Sequence, residues 1–591
     1  NLDLSMATGD VSGDYWNSGS GWEPIGTTST PFDGSFDGNG FSISGLYIER
    51  SGTDNVGLFG AIDSDGVIEN LELTDVDITG NDYVGAVAGR SAGQIEDPEL
   101  SNIEINGNDY VGGVAGLNTG VIKNGQATVI VNGNDIIGGV TGINQDSLYS
   151  MNLDVTITGV TDLGGATGKN TGTIEKLTVT STITTHQGDE GSFRVAGLVG
   201  ENSGAISKSY INTKISTSAT DAGTFAGIAG SNDSGSISEV FAFVDITGKT
   251  GVAGMVGSLT NGSIENVYVM GEITGTFGTS GVIGGGFEAT VTKSYTTVNI
   301  LDDTESGGYS SFSNNTGSQV YWNPTLMGID TTTTGSEPLV KRLTNTQMLD
   351  SASYAGFDFD EVWDIYQGSS FPFLRAIGAP HIISGAIITG NNGWRMLSVP
   401  FDSITYADLL DDWWTQGVAG ADTTGGSPNI YTWNETTQSF EALSDLDTNA
   451  EKGEGFIVYV YSDEDADGIS EGFPKSIVNQ QQTDSSNITL NLSYTDDGDE
   501  FTNDDGWNMI GSSFEFPIDW DAASGWGKTN LDNTIYVWSD SANSGEGDYL
   551  TWNGSSGTLG NGNITPWQGF WVKANATSPS LTITNETKGE G

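Results

Sequence analysis

The amino-acid sequence predicts an all-β protein, in which a β-solenoid of about nine coils of ~28 residues is followed by two β-sandwich domains. Three observations lead to this fold class. A glycine-containing motif recurs along the first half of the chain, and each copy precedes a segment of alternating apolar and polar residues. A different duplication begins after residue 380.

The recurring motif combines small or apolar residues with two closely spaced glycines, as in VGLFG, VGGVAG and VAGMVG. Its copies end at Gly60, Gly89, Gly116, Gly142, Gly168, Gly200, Gly230 and Gly257, with a degenerate copy near Gly286. The intervals are 29, 27, 26, 26, 32, 30, 27 and 29 residues. One coil of this length cannot bury its own apolar face, so coils stack on one another. We expect the small residues where neighbouring backbones approach closely.

Alternating segments follow the glycine motifs and read as half-buried strands. Apolar residues alternate with Thr or Asp at residues 153–157 (LDVTI), and residues 128–131 (TVIV) are a second example of such a strand. Polar turns, often Gly-Asn-Asp as at 80–82, 107–109 and 133–135, close the units. A repeating β-sandwich of hairpins is the alternative reading of this pattern.

The repeats resemble a known family. The V-x-G-x-V-G units, with WEPIG at 22–26 and PFDGSFDGNG at 31–40, resemble the GLUG repeats of bacterial surface and adhesin-like proteins. VYW at 320–322, FDEVW at 359–363 and FPFLR at 371–375 resemble the usual exit of such arrays. The resemblance covers about residues 15–376 and implies a right-handed β-helix. It says less about function, because such arrays occur in secreted proteins of many kinds.

Bulky aromatic residues follow the last repeat and predict a cap, because a solenoid end exposes unpaired strand edges and an open core. The aromatic residues of this segment are Trp322, Phe357, Phe359, Trp363, Phe371 and Phe373. Residues 344–354 are expected to form a short helix in this segment.

The C-terminal third contains its own duplication. GWRML at 393–397 matches GWNMI at 506–510, NIYTW at 429–433 matches TIYVW at 534–538, and GFIV at 455–458 matches GFWV at 569–572. Short alternating strands with Gly, Asn, Asp and Ser turns predict two β-sandwiches. Their tryptophans Trp394, Trp433, Trp507, Trp538 and Trp571 are expected mainly in the cores. The motifs WNMIG and WQGFWVK resemble those of domains found near the C-termini of proteins exported by type IX secretion in Bacteroidota.

These patterns give five predicted segments. They are a lead-in and cap at 1–50, the GLUG-type solenoid at 51–300, a second cap and linker at 301–378, and β-sandwiches at 379–497 and 498–591.

One local motif predicts a calcium site. Asp463, Asp465 and Asp467, followed by Gly468, place carboxylates at loop positions 1, 3 and 5 with glycine at position 6. Glu471 stands at position 9 and completes the predicted ligand set. Position 12 is Pro474 and lacks the bidentate glutamate of an EF-hand, so a structural Ca²⁺ is expected rather than a switch. A solvated acidic turn is the alternative.

Composition excludes several function classes. The 77 acidic residues against 19 basic ones give a net charge of −58, which repels nucleic acids and anionic membranes and suits a cation-rich setting. There is no cysteine and only two histidines, so thiol chemistry and multi-histidine metal sites are not expected. No apolar run is long enough to insert in a membrane. Tyr83 and Tyr110, one coil apart, predict either a ring stack or a sugar-binding ladder.

These observations together predict a secreted, non-catalytic structural or adhesive protein of the extracellular bacterial surface. Its partners would be further copies of itself, assembled head to tail into a filament or sheath, or surface glycans and other surface proteins. The alternative is a polysaccharide-binding or polysaccharide-degrading β-helix enzyme. Catalysis is not expected, because the few basic residues of the repeats are scattered and paired carboxylates arise by chance among 77.

Overall fold

The computed structural model divides the described residues into two compact units. It describes residues 1–185, 193–217, 223–276, 278–301, 312–313, 316–327, 340–378, 384–400, 404–411, 413–463, 472–479, 487–496, 498, 505–540, 542–545 and 547–589. The solenoid unit comprises Asn1–Leu343, Tyr354–Val362 and Leu374–Ile377. The C-terminal unit comprises Thr344–Ser353, Trp363–Phe373 and Gly378–Gly591.

The solenoid unit is built from three parallel sheets that run along the stacked coils, and it confirms the predicted β-solenoid of about nine turns. The largest sheet has the strands Leu2–Asp3, Ser35–Asp37, Ser42–Ser44, Tyr47–Glu49, Val67–Glu69, Glu72–Thr79, Gln94–Glu96, Glu99–Asn106, Val121–Lys123, Gln126–Asn132, Ser147–Tyr149, Asn152–Gly159, Thr173–Glu175, Thr178–Thr185, Ala205–Ser216, Ser236–Thr247, Ser263–Thr274, Thr290–Thr296, Asn299–Leu301, Thr316–Trp322 and Val340–Arg342. The second sheet has Phe59–Ile62, Ala88–Ser91, Ala115–Asn118, Thr141–Asn144, Thr167–Asn170, Val199–Asn202, Ala229–Asp233, Val256–Thr260, Ile283–Phe287 and Phe312–Ser313. The third has Asp109–Gly112, Asp135–Gly138, Thr161–Gly164, Phe193–Ala196, Gly223–Ala226 and Val252–Ala253.

Equivalent residues of neighbouring coils lie opposite one another in register. Ile105 pairs with Val131, and Val131 pairs with Ile157. These side chains are buried, whereas Thr128 and Asp154 on the alternate positions are exposed, as the period-2 pattern predicted. Stacking therefore converts one buried position per coil into a continuous apolar column.

The glycines of the repeat lie where coil backbones meet. A Cβ on Gly116 would lie 2.5 Å from the Cα and carbonyl carbon of Tyr83 in the preceding coil. A Cβ on Gly112 would lie 2.5 Å from the Cα of Thr141 in the following coil. These distances are shorter than carbon–carbon contact allows, so side chains are excluded at these positions, as the sequence predicted.

The two ends of the solenoid differ. Near the N-terminus, the helix Ser5–Gly9 carries Thr8, whose hydroxyl bonds to the carbonyl oxygens of Leu4 and Gly45. At the other end, Tyr354 and Phe357 contact the ring of Tyr321, with centroids 5.2 and 5.7 Å apart. Part of the predicted aromatic cap therefore packs on the last coils.

Other residues of the predicted cap lie in the C-terminal unit. Trp363 and Phe371 are fully buried there, and Phe373 is almost so. The expected helix within 344–354 is shorter than that range: it spans Asn345–Met348 and is followed by the 3₁₀ turn Ser351–Ser353. Thr344 and Gln347 form a capping box at its start, which explains why the helix begins there.

The C-terminal unit repeats one strand arrangement twice in small separate sheets. The first copy has Ser384–Ile388 paired with Lys475–Asn479, the four-stranded sheet Gly393–Ser398, Gly455–Val460, Ile430–Asn434 and Ser439–Ala442, and Ile404–Thr405 paired with Asn449–Ala450. The second has Ile488–Asn491, Ser580–Ile583 and Trp526–Thr529, the four-stranded sheet Trp507–Gly511, Gly569–Lys573, Ile535–Ser539 and Asp548–Trp552, and Ile518–Asp519 paired with Asn563–Ile564. The arrangement of each copy as a β-sandwich stays a prediction.

Remaining short elements complete the secondary structure of the described residues. The strands are Trp363–Asp364 and Phe373–Leu374, the helices are Pro324–Met327, Tyr406–Leu409 and Ala542–Gly545, and the 3₁₀ turns are Asn17–Gly19 and Asn585–Thr587.

The two copies meet through equivalent residues. The indole nitrogen of Trp433 donates to the carbonyl oxygen of Trp507 at 2.7 Å, and that of Trp538 donates to the carbonyl oxygen of Trp394 at 3.2 Å. Trp433 and Trp538 are matching positions of the duplication, as are Trp394 and Trp507. The contact is therefore isologous, as in a two-fold symmetric dimer.

A glycine substitution tests the close packing of the coils. Gly116→Ala should lower the free energy of unfolding by about 1–3 kcal/mol, because the new methyl group meets backbone atoms of Tyr83 that cannot move without separating the coils. Gly285→Ala is the matched control, since a Cβ there has nothing within 4 Å. Urea unfolding followed by circular dichroism measures both variants, and equal effects would contradict this account.

Candidate functional site: solenoid ladders and an aromatic cavity

A ladder of buried asparagines crosses the solenoid from coil to coil. The amide nitrogen of each of the first four members donates to the side-chain oxygen of the next asparagine at 2.6–2.8 Å. The members are Asn118, Asn144, Asn170, Asn202 and Asn232, all fully buried. Each amide nitrogen also bonds to a backbone carbonyl two or three residues along its own chain segment. The ladder therefore joins neighbouring coils and also supplies hydrogen bonds to the backbone carbonyl groups of their turns.

The sequence pattern did not predict this ladder. The signal that would have found the ladder is the asparagine itself, which returns in register with the glycine motif. What the sequence did not show is that this side chain points inward. Ser91 holds the equivalent position one coil before Asn118, where it is buried with no hydrogen-bond partner for its hydroxyl among the described residues. The ladder therefore begins at Asn118.

Ion pairs of the solenoid also join coils. Among the described residues of this unit, six ion pairs connect neighbouring coils: Lys123–Glu96, Lys169–Glu201, Arg194–Asp162, Lys208–Glu175, Lys214–Asp245 and Lys293–Glu265. Arg194 also pairs with Glu201 of its own coil. The most buried carboxylate is that of Asp162, which is 4% exposed and receives two hydrogen bonds from Arg194. The scattered basic residues therefore serve as links between acidic coils.

The same register places like charges opposite one another where no lysine or arginine intervenes. Asp77 pairs with Glu104, and Glu72 pairs with Glu99. Burial raises the pKa of Asp77, and the neighbouring charges of Glu104 and Glu49 raise it further. In-register stacking thus has an electrostatic cost in an acidic sequence.

Aromatic rings form two further columns. Tyr83 and Tyr110 stack with centroids 4.6 Å apart and planes at 11°, and the guanidinium carbon of Arg90 lies 3.4 Å from the Tyr83 centroid. Because both neighbours cover the ring of Tyr83, the ring-stack interpretation describes this pair better than an open sugar ladder does.

The second column is buried in the later coils. Its successive rings lie 4.3–5.4 Å apart and belong to Tyr210, Phe241, Tyr268 and Tyr295. Burial raises the pKa of Tyr268 and of Tyr295 well above the usual range, so both stay neutral. This column stabilises the stack of coils rather than offering a surface.

The predicted calcium ligands lie mostly outside the described residues. Asp463 is described and half-buried, whereas Asp465, Asp467 and Glu471 are not described. Among the described parts of the chain, no group of three or more His, Cys, Asp or Glu side chains is placed to hold a metal ion. The calcium loop therefore stays a prediction.

An aromatic cavity of about 410 Å³ lies in the C-terminal unit, where the two copies meet. Its lining residues are Trp433, Trp507, Tyr536, Tyr549, Thr551 and Trp571. Five of the six lie on the four-stranded sheet of the second copy, on the strands Trp507–Gly511, Ile535–Ser539, Asp548–Trp552 and Gly569–Lys573, and Trp433 comes from the first copy. The tryptophans expected in the cores thus differ in position. Trp433, Trp507 and Trp571 line this cavity, with Trp571 only 7% exposed, whereas Trp394 is 38% exposed and lies outside the lining.

The cavity breaks the symmetry of the duplication. Trp571 matches Ile457 in the first copy, because both lie on the strand next to Trp507 or Trp394 and both face its methionine, Met509 or Met396. The bulkier indole of Trp571 stands perpendicular to Trp433, with centroids 5.0 Å apart and an angle of 86°. One ring therefore contacts both copies at the cavity.

Comparisons with known proteins give two partial likenesses. No protein-family model and no solved structure matches the chain. Halomucin from Haloquadratum walsbyi is 52% identical over 85 residues, which are 14% of this chain and 1% of halomucin. A Gly-rich membrane protein from Evansella cellulosilytica is 42% identical over 76 residues, which are 12% of this chain and 9% of that protein. The chain thus spans less than a tenth of either relative. Its described helices are all too short or too polar to cross a membrane.

Removing one ladder asparagine should weaken the coils that it joins. Asn144→Ala leaves the amide nitrogen of Asn118 and the side-chain oxygen of Asn170 without their ladder partners, so we expect a loss of about 2–4 kcal/mol in the free energy of unfolding. Asn152→Ala is the control, because Asn152 is exposed at the start of the strand Asn152–Gly159, and it should change the free energy of unfolding little. Urea unfolding and amide exchange of residues 141–144 report the effect; a loss of the same size in both variants would contradict a role of the ladder.

Replacing one acidic residue should remove the repulsion between carboxylates that lie opposite one another on neighbouring coils. Glu104→Lys should stabilise the solenoid by about 0.2–1 kcal/mol at low ionic strength and much less in 1 M NaCl, because it converts repulsion with Asp77 into attraction. Glu265→Lys is the control in the opposite direction. It replaces the ion pair between Glu265 and Lys293 by two like charges, so it should lower the free energy of unfolding.

The pH dependence supplies a second readout. The pKa of Asp77 is higher in the folded state than in the unfolded state. The contribution of Asp77 to the free energy of unfolding therefore falls as the pH rises through that raised pKa. Glu104→Lys should flatten that fall, as measured by urea unfolding between pH 3 and pH 7. An unchanged slope would show that Glu104 does not act on Asp77.

Proposed function

We propose that this chain is an extracellular surface protein whose solenoid serves as a stable structural or adhesive scaffold. The observation that carries the proposal is the continuous linkage of coils. The asparagine ladder, the aromatic columns and six ion pairs join neighbouring coils, while the outward positions carry exposed Thr, Ser, Asp and Glu side chains. Such a unit presents one repeating polar surface with little freedom to bend between coils.

The partial likeness to halomucin and to a Gly-rich membrane protein supports a location at the cell surface. The net charge of −58 supports it too, because a strongly acidic exterior keeps the protein dissolved and monomeric unless cations screen it. The proposal includes GLUG-type repeats, because the repeats of this chain resemble them. It also includes export by type IX secretion, because the C-terminal motifs resemble those of proteins exported in that way.

The proposed role is non-catalytic and involves binding rather than degradation. Partners would be surface glycans, other surface proteins or further copies of the chain, assembled head to tail. A Ca²⁺ ion bound by Asp463 and its neighbours would then be a structural part of the C-terminal unit. The aromatic cavity favours a binding function over a purely mechanical one.

Two measurements on the native protein test the proposal. Protease treatment of intact source cells should release peptides of this chain, with a cytoplasmic protein as the control for lysis; release only after lysis would contradict a surface location. Negative-stain microscopy over a concentration series, with and without EDTA, distinguishes polymers from single particles. Regular polymers would support the filament form, and single particles in all conditions would support the adhesive form. A change with EDTA would support the calcium site.

A further inference from the structure

The walls of the aromatic cavity are held rigidly before any ligand binds. The indole nitrogen of Trp433 donates to the carbonyl oxygen of Trp507 at 2.7 Å, and the indole nitrogen of Trp571 donates to the hydroxyl of Tyr549 at 3.3 Å. Trp507 and Tyr536 are in edge contact, with centroids 5.0 Å apart and planes at 72°. These bonds fix the ring orientations, so a ligand does not have to order them.

A polar groove of about 590 Å³ adjoins the cavity and shares Trp433 with it. Asn434, Glu441 and Asn491 are among its lining residues, and the Asn434 amide already donates to Glu441 at 2.9 Å. Amide and carboxylate groups beside an aromatic wall provide hydrogen-bond partners for hydroxyl groups and a flat apolar face for C–H groups. A sugar ring has both kinds of surface, whereas an apolar side chain has only the second.

The charge of the groove narrows the class of sugar. Its lining carries four carboxylates, those of Glu435, Glu441, Glu451 and Glu454, against the single ammonium group of Lys452. Burial raises the pKa of Glu454. The lining still holds three further carboxyl groups against one ammonium group, so the groove is acidic. Such a groove repels uronic acids and sulfated sugars.

We propose that the aromatic cavity and the adjoining groove bind a neutral glycan, with one pyranose ring seated against Trp571, Trp507 and Tyr549. This inference rests on the proposed adhesive function and names its ligand class. The duplication supports it: the first copy has Ile457 where the second has Trp571, so the matching position of the first copy offers no indole ring to a pyranose.

The test measures binding of soluble neutral hexasaccharides to the full chain. Tryptophan fluorescence and isothermal titration calorimetry are recorded with cellohexaose, mannohexaose, xylohexaose and chitohexaose. Hexagalacturonate is the anionic comparison, and N-acetyltryptophanamide stands for an apolar side chain. We expect at least one neutral hexasaccharide to bind and hexagalacturonate not to bind.

Three variants locate the binding. Tyr549→Ala removes a ring that is 39% exposed, and Trp571→Ile restores the residue of the first copy; each should weaken binding about tenfold or more. Trp394→Ala removes the 38% exposed counterpart of Trp507 and should bind as the native chain does. Near-ultraviolet circular dichroism and urea unfolding confirm that the variants are folded.

Three results would overturn the inference. They are no neutral hexasaccharide binding up to about 5 mM, binding that Tyr549→Ala and Trp571→Ile both leave unchanged, and binding of N-acetyltryptophanamide alone. The last would assign the cavity to an aromatic side chain of a partner protein. Each result leaves the surface location to be decided separately by protease treatment of intact cells.

Discussion

Parallel pairing in register between successive coils is the constraint on which the solenoid depends. Because each strand hydrogen-bonds to the equivalent strand of the next coil, any residue type that recurs with the repeat meets its own kind one coil away. Buried asparagines become a ladder, buried tyrosines become a ring stack, and valines become an apolar column. The glycines follow from the same constraint, since the backbones must come close enough to pair.

The same register explains the electrostatics of the unit. Recurring carboxylates face one another as readily as recurring asparagines do, which is why Asp77 meets Glu104. Lysines such as Lys169 and Lys293 interrupt such columns, and their acidic partners lie on neighbouring coils. A protein with this charge is therefore most stable where dissolved cations are abundant, which agrees with a role outside the cell.

The C-terminal unit uses repetition differently. Its two copies do not stack in one direction but meet through matching residues, and the Trp433 and Trp538 indoles make the same contact in opposite senses. A symmetric contact creates matching surfaces on both sides, and differences at the lining positions make one side distinct. Trp571 stands in place of Ile457, Tyr549 in place of Phe440 and Thr551 in place of Ala442. The aromatic cavity thus combines a duplicated framework with positions at which the two copies differ.

The sequence by itself determined the coil length, the strand alternation, the small residues at the coil contacts and the C-terminal duplication, because each is a periodic property of neighbouring residues along the chain. The tertiary structure alone decided which polar side chains point inward, so the buried role of Asn144 and the shortened helix Asn345–Met348 were not foreseen. It also decided how the two copies face each other and hence that Trp433 and Trp571 share one cavity. The direction of Asn144 depends on partners in neighbouring coils, and the contact of Trp433 with Trp571 joins the two copies of the duplication. The pattern of residues adjacent along the chain does not fix either contact.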